Sequence, residues 1–143
     1  MLTVPLILEE GSSLPTHARI GDAGYDLCAR VSLVLKPFER ALIPTGVHIE
    51  LPEDYAALIL PRSGLAIKKG LSLVNSPGLI DSNYRGEIQA IAINLDPQKS
   101  IEIEAGDRIA QLVIQKVENV AFGITDELSS TNRNDAGFGS SGV

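Results

Sequence analysis

The chain has 143 residues, a length that suits one domain with its own hydrophobic core. Hydrophobic residues make up 44% of it and charged residues 21%, which excludes a wholly disordered or fibrous chain. The formal net charge is −6 at pH 7, with 12 basic against 18 acidic side chains. This balance argues against a nucleic-acid polymer as partner, whereas local arginines or a bound cation still allow a small phosphorylated ligand.

The N-terminal residues predict neither a signal peptide nor a membrane anchor. Their apolar run is short, lacks a preceding positive segment and is followed by Glu9 and Glu10. Other apolar runs are far shorter than the roughly 18 to 20 residues of a membrane span. The single cysteine, Cys28, cannot form an intrachain disulfide and lacks zinc-ligand spacing. We therefore expect a soluble, unexported protein in the reducing cytoplasm, with no membrane partner.

In chain order, the hydrophobic pattern predicts many short β-strands. Strands with one buried face are indicated by two-fold alternation at residues 31–35, 47–51 and 101–104. Strands covered on both faces are indicated by apolar runs at residues 56–60, 88–95 and 112–114. Turn residues separate them about every ten positions. The expected fold is an all-β sandwich or jelly roll.

One short helix and a tail complete this organisation. Residues 64–69, between Ser63 and Gly70, allow a helix of little more than about one or two turns. From residue 129 onward almost nothing can be buried, so we expect a domain at residues 1–128 and a mobile tail at 129–143. An aromatic ring in such a tail, Phe138, favours stacking on a ligand.

The tail also contains a G-x-G-x-x-G pattern at residues 137–142. A dinucleotide-binding fold would need a strand before this pattern and a helix after it, and the sequence provides neither. Glycine N–H groups, serine hydroxyls and the charge of Arg133 still suit phosphate oxygens. The ordinary alternative is a solvated terminus.

Two internal segments offer further chemistry. Arg62 and Ser63 come at the start of the short helix, where N–H groups favour an anion, and a capping serine beside a solvated arginine is the ordinary alternative. Residues 75–86 are rich in turn residues and bring Asp81 close to Tyr84 on an expected hairpin. An aspartate ionised at pH 7 can accept a proton from water, although aspartate is also common in plain hairpin turns.

Together with residues 23–29 and 106–112, these segments resemble the five sequence motifs of the homotrimeric deoxyuridine triphosphatases (dUTPases) in both order and spacing. The resemblance runs from residue 23 to residue 142, and five ordered motifs are far more specific than one glycine pattern. It implies an all-β, single-domain jelly-roll subunit with one short helix and a flexible C-terminal tail. It also implies a homotrimer that hydrolyses dUTP to dUMP and pyrophosphate, with Mg²⁺ on the triphosphate and active sites shared among subunits.

The resemblance implies a role for each matched residue. Asp81 would activate the attacking water, Tyr84 would pack on the deoxyribose, and Asp26 would reach the metal through water. Uracil would be read by the expected hairpin, through Asn75, Gly78 and Ile80. The phosphates would contact Arg62, Ser63, Gly64 and Gln111. The tail that closes over the nucleotide would contribute Arg133, Phe138, Gly139 and Ser140.

The chain departs from the family pattern at four positions. In the tail, Asn134 and Ala136 replace glycines and Ser141 replaces threonine, and Asn83 stands in the third motif where an acid is common. Because alanine tolerates a positive φ poorly, Ala136 bears on the closure geometry.

Two other functions stay open at this point. One is a nucleotide-responsive regulatory or binding protein of the same fold, which the intact Asp81 and the complete tail disfavour. The other is a dCTP deaminase of related fold, which Tyr84 and the same tail disfavour.

Overall fold

Ten β-strands and one α-helix lie in the part of the chain that the computed structural model describes, residues 2–132 and 134–135. In chain order the elements are β1 (Leu6–Leu8), β2 (Tyr25–Cys28), β3 (Leu33–Leu35), β4 (Arg40–Ile49), β5 (Tyr55–Pro61), α1 (Ser63–Lys69), β6 (Leu71–Leu73), β7 (Gly78–Ile80), β8 (Ile88–Asn94), β9 (Ile101–Ile103) and β10 (Arg108–Lys116). No helix among these described residues is long and apolar enough to cross a bilayer.

The strands build two four-stranded sheets and one two-stranded sheet within the described residues. The first sheet has the order β1-β4-β8-β6, the second has the order β2-β10-β5-β7, and β3 pairs with β9. Every one of these pairs is antiparallel. This all-β jelly roll with one short helix confirms the predicted fold class.

The core is made by the inward faces of both large sheets. Along β8, Ile88, Ala90 and Ala92 are each at most 1% exposed and alternate with side chains that point outward. They belong to one buried cluster with Ile59 of β5 and Leu112 of β10, from the second sheet. Burial of one large aliphatic side chain contributes about 1.5 to 3 kcal/mol. Residues 88–95 were predicted to be covered on both faces, whereas in β8 only alternate side chains are buried and those between them are partly exposed.

The short helix forms as predicted, one residue earlier at its start. It spans Ser63–Lys69 and ends at Gly70, whose φ of 71° is left-handed. The N–H of Gly70 donates to the carbonyl of Ala66 at 3.0 Å and so closes the last turn. Since Gly70 leads directly into β6, α1 connects β5 of the second sheet to β6 of the first.

The hairpin predicted at residues 75–86 is wrong. β7 pairs with β5, so that Gly78 lies opposite Ile59 and Ile80 opposite Ala57, whereas β6 and β8 pair with each other in the first sheet. The chain therefore leaves the first sheet after β6, adds one strand to the second sheet and returns with β8. Turn residues indicate where a chain reverses, but they do not show which strand it will lie against.

The described residues after β10 are all exposed and contain neither helix nor strand. Several of them are large apolar side chains, namely Val120, Phe122, Ile124 and Leu128. The domain boundary at residue 128 stays a prediction.

Candidate active site

A cavity of about 610 Å³ lies where β2, β10 and the start of α1 meet. The side chains that the sequence predicted to bind phosphate or metal are among those that line it: Asp26, Arg62, Ser63, Gly64 and Gln111. These residues come from three segments that are far apart in the chain. The structure therefore brings three of the predicted motifs together at one place.

Strand pairing explains this convergence. β10 lies between β2 and β5, and Gln111 of β10 stands opposite Asp26 on one side and Leu60 on the other. Since β5 ends at Pro61, the next residues, Arg62 and Ser63, emerge at the same edge of the sheet. The register of a single central strand thus places all three motifs.

The guanidinium of Arg62 is held from two sides. Its Nε lies 2.9 Å from Oδ1 of Asp26, and its Nη1 donates to the carbonyl oxygen of Arg108 at 3.0 Å. The second oxygen of Asp26 accepts a hydrogen bond from Nη1 of Arg108 at 3.2 Å. Among the described residues, Nη2 of Arg62 has no hydrogen-bond partner, so its N–H groups are available to a phosphate that enters the cavity.

Gln111 is fixed by the end of β5. Its Nε2 donates to the carbonyl of Pro61 at 2.9 Å. A Cβ at position 24 would lie 2.5 Å from Oε1 of Gln111, closer than such contacts occur. Gly24 is therefore needed for the glutamine side chain to lie where it does. The second N–H of the Gln111 amide is the donor that remains for a ligand.

The start of α1 does not have the capping serine of the ordinary alternative. Arg62 occupies the N-cap position with extended backbone, and no side chain caps the helix. Ser63 is the first helical residue, it is exposed, and it lines the cavity. Its hydroxyl is therefore available to a ligand.

Three residues around this cavity were not predicted as site residues: Gly24, Lys68 and Arg108. Lys68 lines the cavity beside Gly64, four positions earlier on the same helix face. That spacing was the one signal in the sequence that could have indicated it. The roles of Gly24 and Arg108 depend on contacts across strands, which no local pattern reveals.

Asp81 and Tyr84 form a second cluster, away from the cavity. Tyr84 N–H donates to the carbonyl of Asp81 at 3.1 Å, and the Tyr84 hydroxyl donates to the carbonyl of Glu87 at 3.0 Å. Both Asp81 and Asn75 are exposed, whereas Gly78 is buried at the start of β7. The turn therefore presents a carboxylate and an aromatic ring together to solvent.

A network of charged side chains holds the far end of this turn. The Arg85 carbonyl lies 3.1 Å from Nδ1 of His48, whose Nε2 lies 3.0 Å from Oε1 of Glu9. The hydrogen bond to Glu9 raises the pKa of His48, and the Arg85 carbonyl adds to that effect. Burial raises the pKa of Glu87, but hydrogen bonds from Gln89 and Gly46 outweigh it and lower that pKa overall.

The two clusters of one chain are well separated along β5. Ile80 lies opposite Ala57, near the start of β5, whereas Arg62 follows the end of β5. At about 3.4 Å per strand residue, that separation along β5 is roughly 17 Å. A carboxylate that activates water must be within hydrogen-bonding reach of it. Within one chain, Asp81 therefore does not lie beside the cavity.

The remaining predicted residues belong to the tail. Arg133, Phe138, Gly139 and Ser140 lie outside the described residues, as do Ala136 and Ser141. Asn134 is described and has a φ of 43°, in keeping with the tolerance of asparagine for positive φ.

The described residues hold no group of three or more His, Cys, Asp or Glu side chains that could bind a metal ion. Both oxygens of Asp26 already face arginines. The described residues thus provide single carboxylates and not a cluster of protein ligands for a metal ion. This donor set fits a Mg²⁺ whose ligands are mainly phosphate oxygens and water.

The protein is all-β, and its cavity is lined by Arg62, Ser63 and Gln111, whose donor groups suit a small anionic ligand. The family model described as dUTPase matches residues 10–142. The chain therefore belongs to the dUTPase family, which confirms the resemblance seen in the sequence.

Curated relatives and solved structures agree with this assignment. The chain is 55% identical over 129 residues to the deoxyuridine 5'-triphosphate nucleotidohydrolase of Streptomyces coelicolor, covering 90% of this chain and 70% of that protein. The enzyme of the same name from Leifsonia xyli subsp. xyli is 50% identical over 139 residues, covering 97% and 90%.

Among solved structures, the dUTPase of Staphylococcus bacteriophage 80alpha with dUPNHPP matches with a TM-score of 0.90 and 32% identity over 100% of both chains. A variant of the dUTPase from phage phi11 of S. aureus, whose structure concerns the coordination of a structural Mg(II) ion, matches with a TM-score of 0.82 and 28% identity, covering 90% of this chain and 100% of that one.

Proposed function

We propose that this chain hydrolyses dUTP to dUMP and pyrophosphate, at sites that two or more copies build together in a homotrimer. The observation that carries the proposal is the convergence of Asp26, Arg62 and Gln111 on one cavity of a dUTPase-family fold. The reaction limits the entry of uracil into DNA and supplies dUMP. A cytoplasmic location stays a prediction that rests on the single cysteine.

The cavity is the proposed triphosphate site. Arg62 is already oriented by Asp26 and the Arg108 carbonyl, so it binds phosphate without reorganising. Ser63, Gly64 and Gln111 supply hydroxyl and N–H donors around it. Arg133 adds a further charge from the tail. Phosphoryl transfer depends mainly on such positioning and charge neutralisation.

Mg²⁺ is the proposed cofactor, held chiefly by the substrate's phosphates and reached by Asp26 through water. When bound, Mg²⁺ would neutralise the negative charge that develops on the phosphate oxygens. The net charge of −6 makes such a cation necessary, because the protein's overall field repels a triphosphate.

Asp81 is the proposed base. It accepts a proton from a water molecule, whose oxygen attacks the triphosphate while the bond between the α and β phosphoryl groups breaks and pyrophosphate leaves. Its exposure on the turn after β7 allows it to reach the cavity of a neighbouring subunit.

Selectivity for deoxyuridine is proposed to come from residues 75–84. Uracil presents two carbonyl acceptors around an N–H donor, whereas cytosine exchanges one acceptor and that donor for the opposite types. A fixed backbone edge at Asn75, Gly78 and Ile80 leaves cytosine with unmatched polar groups. This mismatch can favour uracil over cytosine by about 10⁴-fold. Tyr84 packs on the deoxyribose and leaves no room for a 2′-hydroxyl.

Unpartnered apolar surface supports assembly. On the outer face of the first sheet, Leu42 lies opposite Ile91 and is 59% exposed. Phe122 and Ile124, after β10, are almost fully exposed. Exposed apolar side chains of this size are suited to burial in a protein interface. In the proposed trimer, the tail residues Phe138, Gly139 and Ser140 then close over the nucleotide.

The reaction is tested by incubating the protein with dUTP, dCTP, dTTP and UTP in the presence of Mg²⁺. Release of pyrophosphate from dUTP alone supports the proposal. Release of ammonia from dCTP would indicate a deaminase, and binding without turnover would indicate a regulatory protein.

Replacement of the proposed base separates chemistry from binding. Asp81→Asn keeps a group that hydrogen-bonds water but cannot take its proton, so we expect turnover to fall by about 10² to 10⁴ while dUTP binding and assembly are retained. Single-turnover kinetics and calorimetric titration with a non-hydrolysable analogue measure the two effects. Turnover within a few-fold of wild type would remove Asp81 from its assigned role.

A further inference from the structure

The Tyr84 ring folds back onto its own chain at position 86. A Cβ at Gly86 would lie 2.5 Å from Cζ of Tyr84 and 3.0 Å from its Cε2, and closer still to the hydroxyl oxygen. Contacts below 3.0 Å are essentially never made by a real Cβ. The ring can therefore occupy this position only because residue 86 is glycine.

The ring is also anchored at its tip. The Tyr84 hydroxyl donates to the carbonyl of Glu87, and the Glu87 carboxylate in turn accepts the N–H of Gly46 at 2.7 Å and Nε2 of Gln89 at 2.7 Å. These bonds tie the acceptor to β4 and β8, so the hydroxyl is held by the sheet. The tyrosine remains 44% exposed, which leaves surface of the ring for a ligand.

We propose that Gly86 is a positioning residue for Tyr84 and, through that ring, a determinant of selectivity for deoxyribose over ribose. The inference rests on the proposed function, in which Tyr84 packs on the sugar. A methyl group at position 86 displaces the ring from its place beside the chain. The ring is the exposed end of a side chain, so it can swing away without unfolding the protein. Gly86 also lacks a positive φ, so its backbone accepts alanine.

The first test observes the ring directly in the nucleotide-free protein. The chain has three tyrosines, so labelling with 3-fluorotyrosine gives three residue signals, and Tyr84→Phe assigns one of them. We expect Gly86→Ala to move the Tyr84 resonance and to leave those of Tyr25 and Tyr55 in place. Gly123→Ala is the matched control, because a Cβ there meets no atom of the chain within 4 Å. An unmoved Tyr84 resonance in Gly86→Ala would overturn the inference.

The second test measures selectivity as the ratio of kcat/KM for dUTP to that for UTP. We expect Gly86→Ala to lower this ratio about tenfold or more, and to have no further effect when Tyr84 is already alanine. An effect of full size in the Tyr84→Ala background would show that Gly86 acts independently of the ring. If the wild-type protein hydrolyses neither nucleotide, the proposed function fails while the fluorine result still decides the position of the ring.

Discussion

Asn94, at the end of β8, shows how much a single polar side chain can contribute to this fold. It is 0% exposed. Its Nδ2 donates to the carbonyls of Leu35 at 2.9 Å and Lys99 at 2.8 Å, and its Oδ1 accepts the N–H of Asp96 at 2.8 Å. The amide therefore joins β8 to β3 and to the turn before β9.

Replacing this amide by a carboxylate of the same size tests that role. Asn94→Asp removes both donors and buries a charge against two carbonyl oxygens, so we expect a loss of about 3 kcal/mol or more in the free energy of unfolding. Urea denaturation measures it. Asn119→Asp is the control, since Asn119 is exposed and the change there should stay within about 0.5 kcal/mol. Equal stability of the two variants would contradict this account of Asn94.

At the same scale, the sequence identified five of the residues that line the cavity but not the contacts that hold them. Asp26, Arg62 and Gln111 were predicted through motif resemblance, and the structure places them in one cavity, while their roles stay predictions. The requirement for glycine at position 24 arises from a contact with a side chain 87 positions away. No pattern along the chain contains that information.

At the scale of elements, predictions succeeded where they depended on neighbours in sequence. Two-fold alternation found β3, β9 and the end of β4, and the flanking Ser63 and Gly70 nearly bounded α1. The hairpin at residues 75–86 was wrong because strand pairing depends on the whole topology. Residue type specifies a turn, but the identity of the next strand's partner is decided by packing.

The edge strand β1 provides an element whose attachment depends on pH. It is three residues long and pairs only with β4 in the described part of the chain. Glu9, just beyond β1, accepts from His48 of β4. Only protonated His48 can donate to both Glu9 and the Arg85 carbonyl. The other charged groups of this network are Arg30, which pairs with Glu9 and Glu87, and Glu87 itself.

The sign of the effect follows from the raised pKa of His48. The stabilisation is complete below the unfolded-state value of about 6.5 and is lost as pH rises through the higher folded-state pKa. We therefore expect the stability advantage of wild type over His48→Gln to be largest in acid and to shrink toward alkaline pH, as measured by urea denaturation across that range.

Glu9→Gln is the matched control for this titration. It removes the largest cause of the shift, so the pKa of His48, followed by NMR, should fall toward its ordinary value. A stability advantage of wild type over His48→Gln that grew with pH would contradict the assigned direction of the His48 pKa shift.

At the scale of the whole molecule, the proposed roles of Asp81 and Arg62 require more than one chain. The strand register places Asp81 near one end of β5 and Arg62 beyond the other, so no local rearrangement of either turn brings them together. A closed ring of identical subunits solves this problem, because it repeats one heterologous contact and completes every site. The sequence could indicate this assembly only through the family resemblance.

Subunit mixing tests whether the site is shared. Two inactive variants are combined in equal amounts under conditions that allow exchange: Asp81→Asn with its tail intact, and a truncation that ends at Ser130 with Asp81 intact. If Asp81 and the tail reach a site from different protomers, a site works when the truncated chain supplies Asp81 and the substituted chain supplies the tail. Random assembly gives about one half times one half, so about a quarter of the sites should regain activity.

The same mixture also has a clear failing outcome. If one protomer supplied both Asp81 and the tail to a given site, each site would lack one of the two, and activity would stay at the level of the separate variants. Exchange is verified independently by mass spectrometry of the mixed trimers, because the truncated chain is lighter by 13 residues, 131–143. Proven exchange without recovered activity would reject sharing of Asp81 and the tail between protomers, while hydrolysis of dUTP by the wild-type protein would stand unaffected.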